Sequence, residues 1–370
     1  MAESRLHELS ARGQSVWIDY LSRDLLETGG LKRMMEEDAV VGVTSNPTIF
    51  QKAISQGNAY DEQLKELLQH ESDPKETFLQ LAVRDVEGAL DLLAPVHEAN
   101  AQDGYVSLEV DPNFAYETKA TYDEAIRLHE WIDRPNLYVK IPGTEPGLQA
   151  IEDCIAGGHS INVTLVFSLA RYREVVEAYL GGLERFVESG GDPATVRSVA
   201  SFFVSRVDTE ADKRLEAIGT VEALALRGKL AIANARLAYE HYLEAFSSSR
   251  WDALAAKGAL PQRCLWASTS TKNPAYRDVL YVEELIGPDT VDTMPEETMK
   301  DFQDHGEVRG DTVLEGVDEA HRLLEQLAAV GIDYDDVVAT LEREGVQKFS
   351  DSFAELLDGV KAKRGELVAS

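Results

Sequence analysis

Lys140 has the most distinctive chemical setting in the sequence, because it stands between two aliphatic residues in the segment NLYVKIPG. Lysine is seldom fully buried without a reason, and removal from water lowers the pKa of an amine towards neutrality. A neutral amine can attack a carbonyl carbon and form a Schiff base. The alternative is a lysine at a strand end that pairs with Glu109 or Asp111 and takes part in no reaction. The pattern alone favours neither interpretation.

A Schiff-base reaction needs a proton donor and a proton acceptor beside the amine. Loss of water from the carbinolamine requires an acid, and cleavage of a carbon–carbon bond requires a base for the hydroxyl proton. Asp19 and Glu109 lie in β-rich runs like that of Lys140, and we expect both carboxylates to act with the lysine. The alternative for a carboxylate in such a place is a helix cap, which is the role we expect for Asp111, next to Pro112.

A second group of polar residues lies at the ends of two later β-rich runs. Arg206 is near the end of one of them, Ser268 and Ser270 are at the end of the next, and Lys272 follows directly. An arginine fork, a lysine charge and serine hydroxyls suit the binding of a phosphate monoester. The alternative for Arg206 is a surface ion pair with Asp208.

The β-rich runs carry five further hydroxyl and amide side chains that could face a ligand: Thr44, Asn46, Asn162, Thr164 and Ser201. Metal binding is not indicated, because the eight histidines form no H-x-x-x-H pair and no Cys/His cluster. Cys154 and Cys264 are too few for a disulfide framework, and we expect two reduced thiols.

Eight β-rich runs alternate with longer segments of helical period. The runs cover residues 15–21, 40–46, 105–111, 137–143, 161–167, 196–207, 264–270 and 289–294. Most are continuous apolar stretches, as expected for parallel strands covered on both faces.

This alternation predicts an α/β protein, a single (β/α)₈ TIM barrel with an extra N-terminal helix. The rival fold is an open doubly wound sheet, but G-x-G-x-x-G and G-x-x-x-x-G-K-[ST] motifs are absent from the sequence. We expect one domain over residues 1–370, with a helix within 1–13 and a loose tail at 360–370. The active site of such a barrel lies at the carboxyl ends of the strands.

The charge of the chain limits its partners. Sixty-six acidic residues against 36 basic ones give a net charge of −30, which disfavours nucleic-acid binding but leaves room for a small anion near local basic groups. The sequence has no apolar stretch of membrane-spanning length, and we expect no signal peptide, because the first residues lack an apolar core and a small-residue cleavage site. We therefore expect a cytoplasmic protein that binds neither membranes nor nucleic acids.

Seven motifs, taken in order, resemble the transaldolases of the pentose phosphate pathway. They are WIDYLSRDLLETGGL, GVTSNPTIF, SLEVDP, YVKIPGT, INVTLVFS, SFFVSRVD and WASTSTKNP. The resemblance runs from about residue 13 to 350 and is closest to the longer bacterial form, which also occurs fused to phosphoglucose isomerase. It implies a class I aldolase barrel without metal or organic cofactor. The implied reaction moves a dihydroxyacetone unit from sedoheptulose 7-phosphate to glyceraldehyde 3-phosphate, giving erythrose 4-phosphate and fructose 6-phosphate.

The resemblance also implies roles for individual residues. Lys140 forms the Schiff base, Glu109 activates the water of imine formation and hydrolysis, Asp19 exchanges the hydroxyl proton, and Thr164 positions the water. The residues implied or expected to contact the sugar phosphate are Thr44, Asn46, Asn162, Ser201, Phe203, Arg206, Ser268, Ser270 and Lys272.

Two features leave alternatives open. Shorter members of the family carry an arginine two positions after the serine that matches Ser268, whereas this chain has the longer Ser268–Lys272 segment ending in lysine. Fructose 6-phosphate aldolases, which are similar, carry glutamine and tyrosine in place of Glu109 and Phe203, so these residues favour transaldolase. A barrel that binds sugar phosphates without catalysis is the remaining alternative. Such a protein would be expected to lack Lys140 or a carboxylate.

We expect the protein to be a monomer or a homodimer.

Overall fold

The computed structural model describes residues 4–55, 58–67 and 69–369. Eight parallel strands form a closed barrel in which each strand pairs with its neighbours in the sequence and β8 pairs with β1. The predicted (β/α)₈ barrel is therefore confirmed. The strands are β1 Gln14–Ile18, β2 Val40–Val43, β3 Tyr105–Glu109, β4 Leu137–Pro142, β5 Ile161–Val166, β6 Ser198–Phe203, β7 Arg263–Ala267 and β8 Thr290–Met294.

Helices surround the barrel and fill the connections between strands. Within the described residues they are α1 Arg5–Ala11, α2 Arg23–Glu27, α3 Gly30–Glu37, α4 Pro47–Ser55, α5 Asp61–Leu67, α6 Pro74–Ala99, α7 Thr118–Ile132, α8 Glu145–Ala156, α9 Leu169–Glu188, α10 Ser205–Ile218, α11 Val221–Leu224, α12 Leu230–Ala245, α13 Ser249–Ala255, α14 Leu280–Glu284, α15 Glu296–His305, α16 Val317–Ala329 and α17 Tyr334–Ala369.

Every predicted β-rich run overlaps one of these strands, and each strand is shorter than its run. Strand β6 ends at Phe203 because Ser205 already begins α10. Seven of the eight strands are buried at every position. This burial agrees with the continuous apolar pattern, since helices cover the outside while side chains fill the inside.

Aromatic side chains fill the lower part of the barrel interior. The ring of Trp17 lies 6.1 Å from that of Tyr138, which stacks on Tyr105 at 4.0 Å. Gly42 leaves room for this layer, because a Cβ there would lie 2.4 Å from the Trp17 indole. Below it, the buried Arg263 donates to Asp103 at 3.2 Å. The interior is therefore packed beneath the carboxyl ends of the strands.

The two ends of the described chain are both helical. Helix α1 lies within the predicted 1–13 segment, whose first three residues lie outside the described part, and buries Leu6 and Leu9. In the segment expected to be a loose tail, 360–370, helix α17 continues to Ala369, and Val360 is buried; residue 370 lies outside the described part.

Helix α17 carries a stripe of buried apolar residues at helical spacing: Phe349, Phe353, Leu356 and Val360. This stripe packs the helix against α4, α5 and α6. No helix in the described ranges is long and apolar enough to cross a bilayer.

Candidate active site

A cavity of about 310 Å³ opens at the carboxyl ends of the barrel strands. Eleven of the thirteen residues selected from the sequence line it; Glu109 and Asn162 do not. The eleven are Asp19, Thr44, Asn46, Lys140, Thr164, Ser201, Phe203, Arg206, Ser268, Ser270 and Lys272.

Lys140 reaches the floor of this cavity from β4. Its side chain is only 6% exposed, and its Nζ donates to the Ser45 carbonyl at 3.2 Å. The pairing of β4 with β3 sets Glu109 beside it, with 3.7 Å between Nζ and Oε2. This distance allows charge attraction but exceeds a good hydrogen bond. The amine therefore stays near the cavity without a tight ion pair.

Glu109 lies next to the lysine, and its side chain is buried from solvent. Burial raises the pKa of its carboxyl to about 7, although the Lys140 charge acts in the opposite direction. Within the described part of the chain, neither of its oxygens has a hydrogen-bond partner, and the same holds for the Thr164 hydroxyl. Buried polar atoms normally have partners. A small cavity of about 10 Å³ borders Glu109, close to the space that one water needs.

Asp19 lies at the end of β1, on another side of the cavity. Its Oδ1 accepts a hydrogen bond of 2.7 Å from Thr44, whose hydroxyl is also 2.6 Å from that of Thr293. Since Thr44 has one proton to give, Thr293 must donate to Thr44. Burial raises the pKa of Asp19 and outweighs the charges of Lys140 and other cations that lower it. This carboxylate is held in place and is more basic than usual.

The two asparagines have different environments. Asn46 accepts a hydrogen bond from the Ile49 amide and so caps α4, while its side chain lines the cavity. Asn162 is fully buried below, where it donates to Ser107 at 3.0 Å and accepts from Ser201 at 2.7 Å. The structure therefore places Asn162 below the floor of the cavity, where it orients Ser201.

Arg206 projects into the cavity from the first turn of α10. Its guanidinium lies 5.2 Å from the ring centroid of Phe203 and 5.9 Å from that of Phe349. The alternative pairing with Asp208 is wrong, since Asp208 is buried and accepts from the Ala231 amide at 2.8 Å and the Tyr281 hydroxyl at 2.9 Å. The arginine is therefore available to a ligand. Asp111, as expected, caps a short helical turn through the Asn113 amide.

The loop after β7 brings hydroxyls and a further cation to the same wall. Ser268 has a φ of 58°, in the left-handed region that residues other than glycine rarely adopt. Its hydroxyl lies 2.9 Å from that of Ser205, at the start of α10. The Lys272 ammonium donates to Ser270 at 2.5 Å. Strained backbone is often kept at ligand sites, and here it turns the loop towards Arg206.

Comparison with known proteins identifies the family. A family model described as Transaldolase/Fructose-6-phosphate aldolase matches residues 16–360. The chain belongs to this family. The transaldolase family indicated by the seven sequence motifs is therefore confirmed.

Several curated transaldolases are similar along nearly their whole length. A transaldolase of Frankia alni is 54% identical over 361 residues, which cover 97% of both chains. One from Acidothermus cellulolyticus is 54% identical over 356 residues, 96% of this chain and 95% of the relative. One from Mycolicibacterium smegmatis is 53% identical over 366 residues, 99% of this chain and 98% of the relative.

The cavity of this transaldolase-family chain also contains residues that the sequence did not single out. Thr293 comes from β8, a weak β-rich run. Five others come from helices: Thr48, Ile49 and Lys52 from α4, and Lys348 and Phe349 from α17. A search restricted to strand ends misses them. The sequence feature that could have indicated the contribution of α17 is its apolar stripe, which predicts that the helix packs against other elements. Lys348 lies directly before Phe349, the first residue of that stripe.

Proposed function

We propose that the protein is a transaldolase. It transfers a dihydroxyacetone unit from sedoheptulose 7-phosphate to glyceraldehyde 3-phosphate and forms erythrose 4-phosphate and fructose 6-phosphate. The observation that carries the proposal is a buried lysine at the floor of a cavity, with Asp19 and Glu109 nearby and cations around the mouth. Membership of the family supports it.

In the first step Lys140 attacks the ketone carbon of the donor. The Ser45 carbonyl, 3.2 Å from Nζ, orients the amine. The resulting carbinolamine loses its hydroxyl as water when an acid supplies a proton. Glu109, with a pKa of about 7, is suited to give and take this proton near neutral pH. A water between Glu109 and Thr164 would satisfy oxygens that otherwise have no partner in the described structure.

In the second step Asp19 takes the proton from the hydroxyl of the donor whose neighbouring carbon–carbon bond breaks. That hydroxyl becomes the aldehyde of the leaving sugar phosphate. The electron pair of the broken bond moves into the iminium and gives a neutral enamine on Lys140. The enamine then attacks the acceptor aldehyde, and Asp19 returns its proton to the new alkoxide. The raised pKa of Asp19 makes it a better base for the first transfer, and in the second transfer the protonated carboxyl acts as the acid.

Transfer, rather than release of dihydroxyacetone, requires that the enamine is not protonated. Phe203 lines the cavity with an apolar ring, which packs 5.2 Å from Phe167. A tyrosine at this position would offer a proton. Phe203 and Glu109 therefore favour transaldolase over the aldolase members of the family.

We assign Arg206, Ser268, Ser270 and Lys272 to the phosphate. Asn46 and Ser201 are placed to meet hydroxyls of the sugar, and Asn162 acts through Ser201. Thr44 holds Asp19. The reaction needs neither a metal nor an organic cofactor, because the iminium is itself the electron acceptor.

We place the protein in the cytoplasm as a monomer or homodimer that binds neither membranes nor nucleic acids. The buried free thiols Cys154 and Cys264 support the location, since reduced thiols are typical of that compartment.

Borohydride trapping tests the proposal directly. The protein is incubated with fructose 6-phosphate and sodium borohydride, and peptide mapping locates the added mass. We expect a covalent adduct on Lys140. A protein that binds fructose 6-phosphate but gains no mass would be a non-catalytic sugar-phosphate barrel, and an adduct on another lysine would refute the role of Lys140.

A further inference from the structure

Two lysines that the assigned roles do not use line the cavity. Lys52 comes from α4 and Lys348 from α17, and both side chains are exposed. In the described ranges neither lysine forms an ion pair. Lysines nearby on α17 do, since Lys361 pairs with Asp358 at 2.8 Å and Lys363 with Asp61 at 3.0 Å. In a chain with 66 acidic residues, cations left without a carboxylate at one cavity call for an explanation.

The lysines belong to a cluster of mutually repelling charges. The nearby Arg206 is the largest cause that lowers the pKa of Lys348, and Lys52 contributes to the same effect. Burial lowers the pKa of Lys272, and the charges of Arg206 and Lys348 lower it further. Four cations within electrostatic reach destabilise the empty cavity. A bound anion would turn this repulsion into attraction.

The two helices that carry the lysines are fixed to each other. Thr48, one turn before Lys52, donates to Ser352, one turn after Lys348, at 2.8 Å. Phe349 lies below the Arg206 guanidinium. The lysines are therefore presented as a pair on a packed surface.

We infer that Lys52 and Lys348 bind the phosphate of the substrate together with Arg206 and Lys272, so that α17 forms part of the substrate site. The inference rests on the proposed function, which supplies a sugar phosphate as the anion. A phosphate monoester carries about −1.5 to −2 charges near pH 7. Arg206 and Lys272 balance that charge at the site. Lys52 and Lys348 attract the phosphate ester at the mouth of the cavity. Without such local cations, the net charge of −30 on the protein would repel it.

The test compares Lys52→Met and Lys348→Met with Lys361→Met. Methionine keeps an unbranched apolar side chain and removes the charge. Lys361 is a matched control, since it lies on α17, is exposed and is not among the residues lining the cavity. We expect the KM for fructose 6-phosphate to rise about three- to tenfold in each of the first two variants. The KM for fructose should stay constant, and Lys361→Met should behave like the wild type.

Two further measurements test whether the charges of Lys52 and Lys348 bind phosphate. Lys348→Arg, which keeps the charge, should restore most of the affinity for fructose 6-phosphate. The dissociation constant for inorganic phosphate, measured by calorimetry without turnover, should rise in both methionine variants. Unchanged phosphate affinity in these variants, or an equal rise in KM for fructose and its phosphate, overturns the inference. Failure of the wild type to form a trapped adduct instead refutes the proposed function, and the phosphate titration still decides the role of the lysines.

Discussion

Glu109→Gln should make the protein more stable and should lower its transaldolase turnover, because an amide cannot give and take the proton of imine formation. Burial raises the pKa of Glu109 from 4.5 to about 7, so ionisation of this carboxyl costs the folded protein about 3 kcal/mol. The unfolded chain releases the proton near pH 4.5 and the folded protein only near pH 7. Wild-type stability therefore falls as the pH rises from about 4.5 through about 7. Glutamine resembles the neutral carboxyl and avoids this loss at pH 8.

For a chain of 370 residues, about 3 kcal/mol corresponds to a rise of about 4 °C in the unfolding midpoint at pH 8. At pH 4.5 the two proteins should unfold at nearly the same temperature, because both carry a neutral side chain. The assay is thermal unfolding of the wild type and the variant from pH 4.5 to 8.5, with turnover measured on the same samples.

Asp292→Asn provides a matched control. Asp292 is also fully buried, burial also raises its pKa to about 7, and it accepts from Thr269 at 2.9 Å. It does not line the cavity. This variant should gain stability at pH 8 and keep its turnover. A Glu109→Gln protein that is less stable than the wild type at pH 8, or whose stability difference does not depend on pH, would refute the argument.

The other predictions concern the lysine, the phosphate and the enamine. Lys140→Arg should abolish turnover, because a guanidinium stays protonated and is no nucleophile; activity within about tenfold of the wild type, or ~1.4 kcal/mol in the barrier, contradicts the Schiff base. Arg206→Ala should cost ~2–3 kcal/mol in binding of phosphorylated donors and spare fructose; equal losses for both donors would make Arg206 structural. Phe203→Tyr should increase release of dihydroxyacetone from fructose 6-phosphate without an acceptor; a folded variant with unchanged release would shift the cause to Glu109.

The strands and their order were predictable because each is a short apolar run followed by a helical segment. In a barrel of parallel strands, these facts alone place Asp19, Lys140 and Thr164 at the same end. The left-handed Ser268 was not predictable, since its φ of 58° follows from the contacts of the loop with α10 rather than from its residue type.

Contributions from outside the strands could not be predicted in the same way. Lys52 and Lys348 reach the cavity because α4 and α17 pack together, a contact between segments almost 300 residues apart. The depth of Asn162 depends on register: it pairs beside Lys140 in the sheet, and Ser107 and Ser201 hold its amide. Its strand was evident from the sequence, but its hydrogen-bond partners on β3 and β6 were not.

The closure of the barrel also determines when the site forms during translation. Asp19 lies just after β1, which obtains its second neighbour only when β8, ending at Met294, has been made. Lys348 follows more than 50 residues later on α17. A nascent chain on the ribosome therefore has its reactive lysine long before it has the hydroxyl of Thr293 or the cation on α17. Because domains fold as units as they emerge, we expect catalytic competence to appear abruptly once β8 and α17 have both been made.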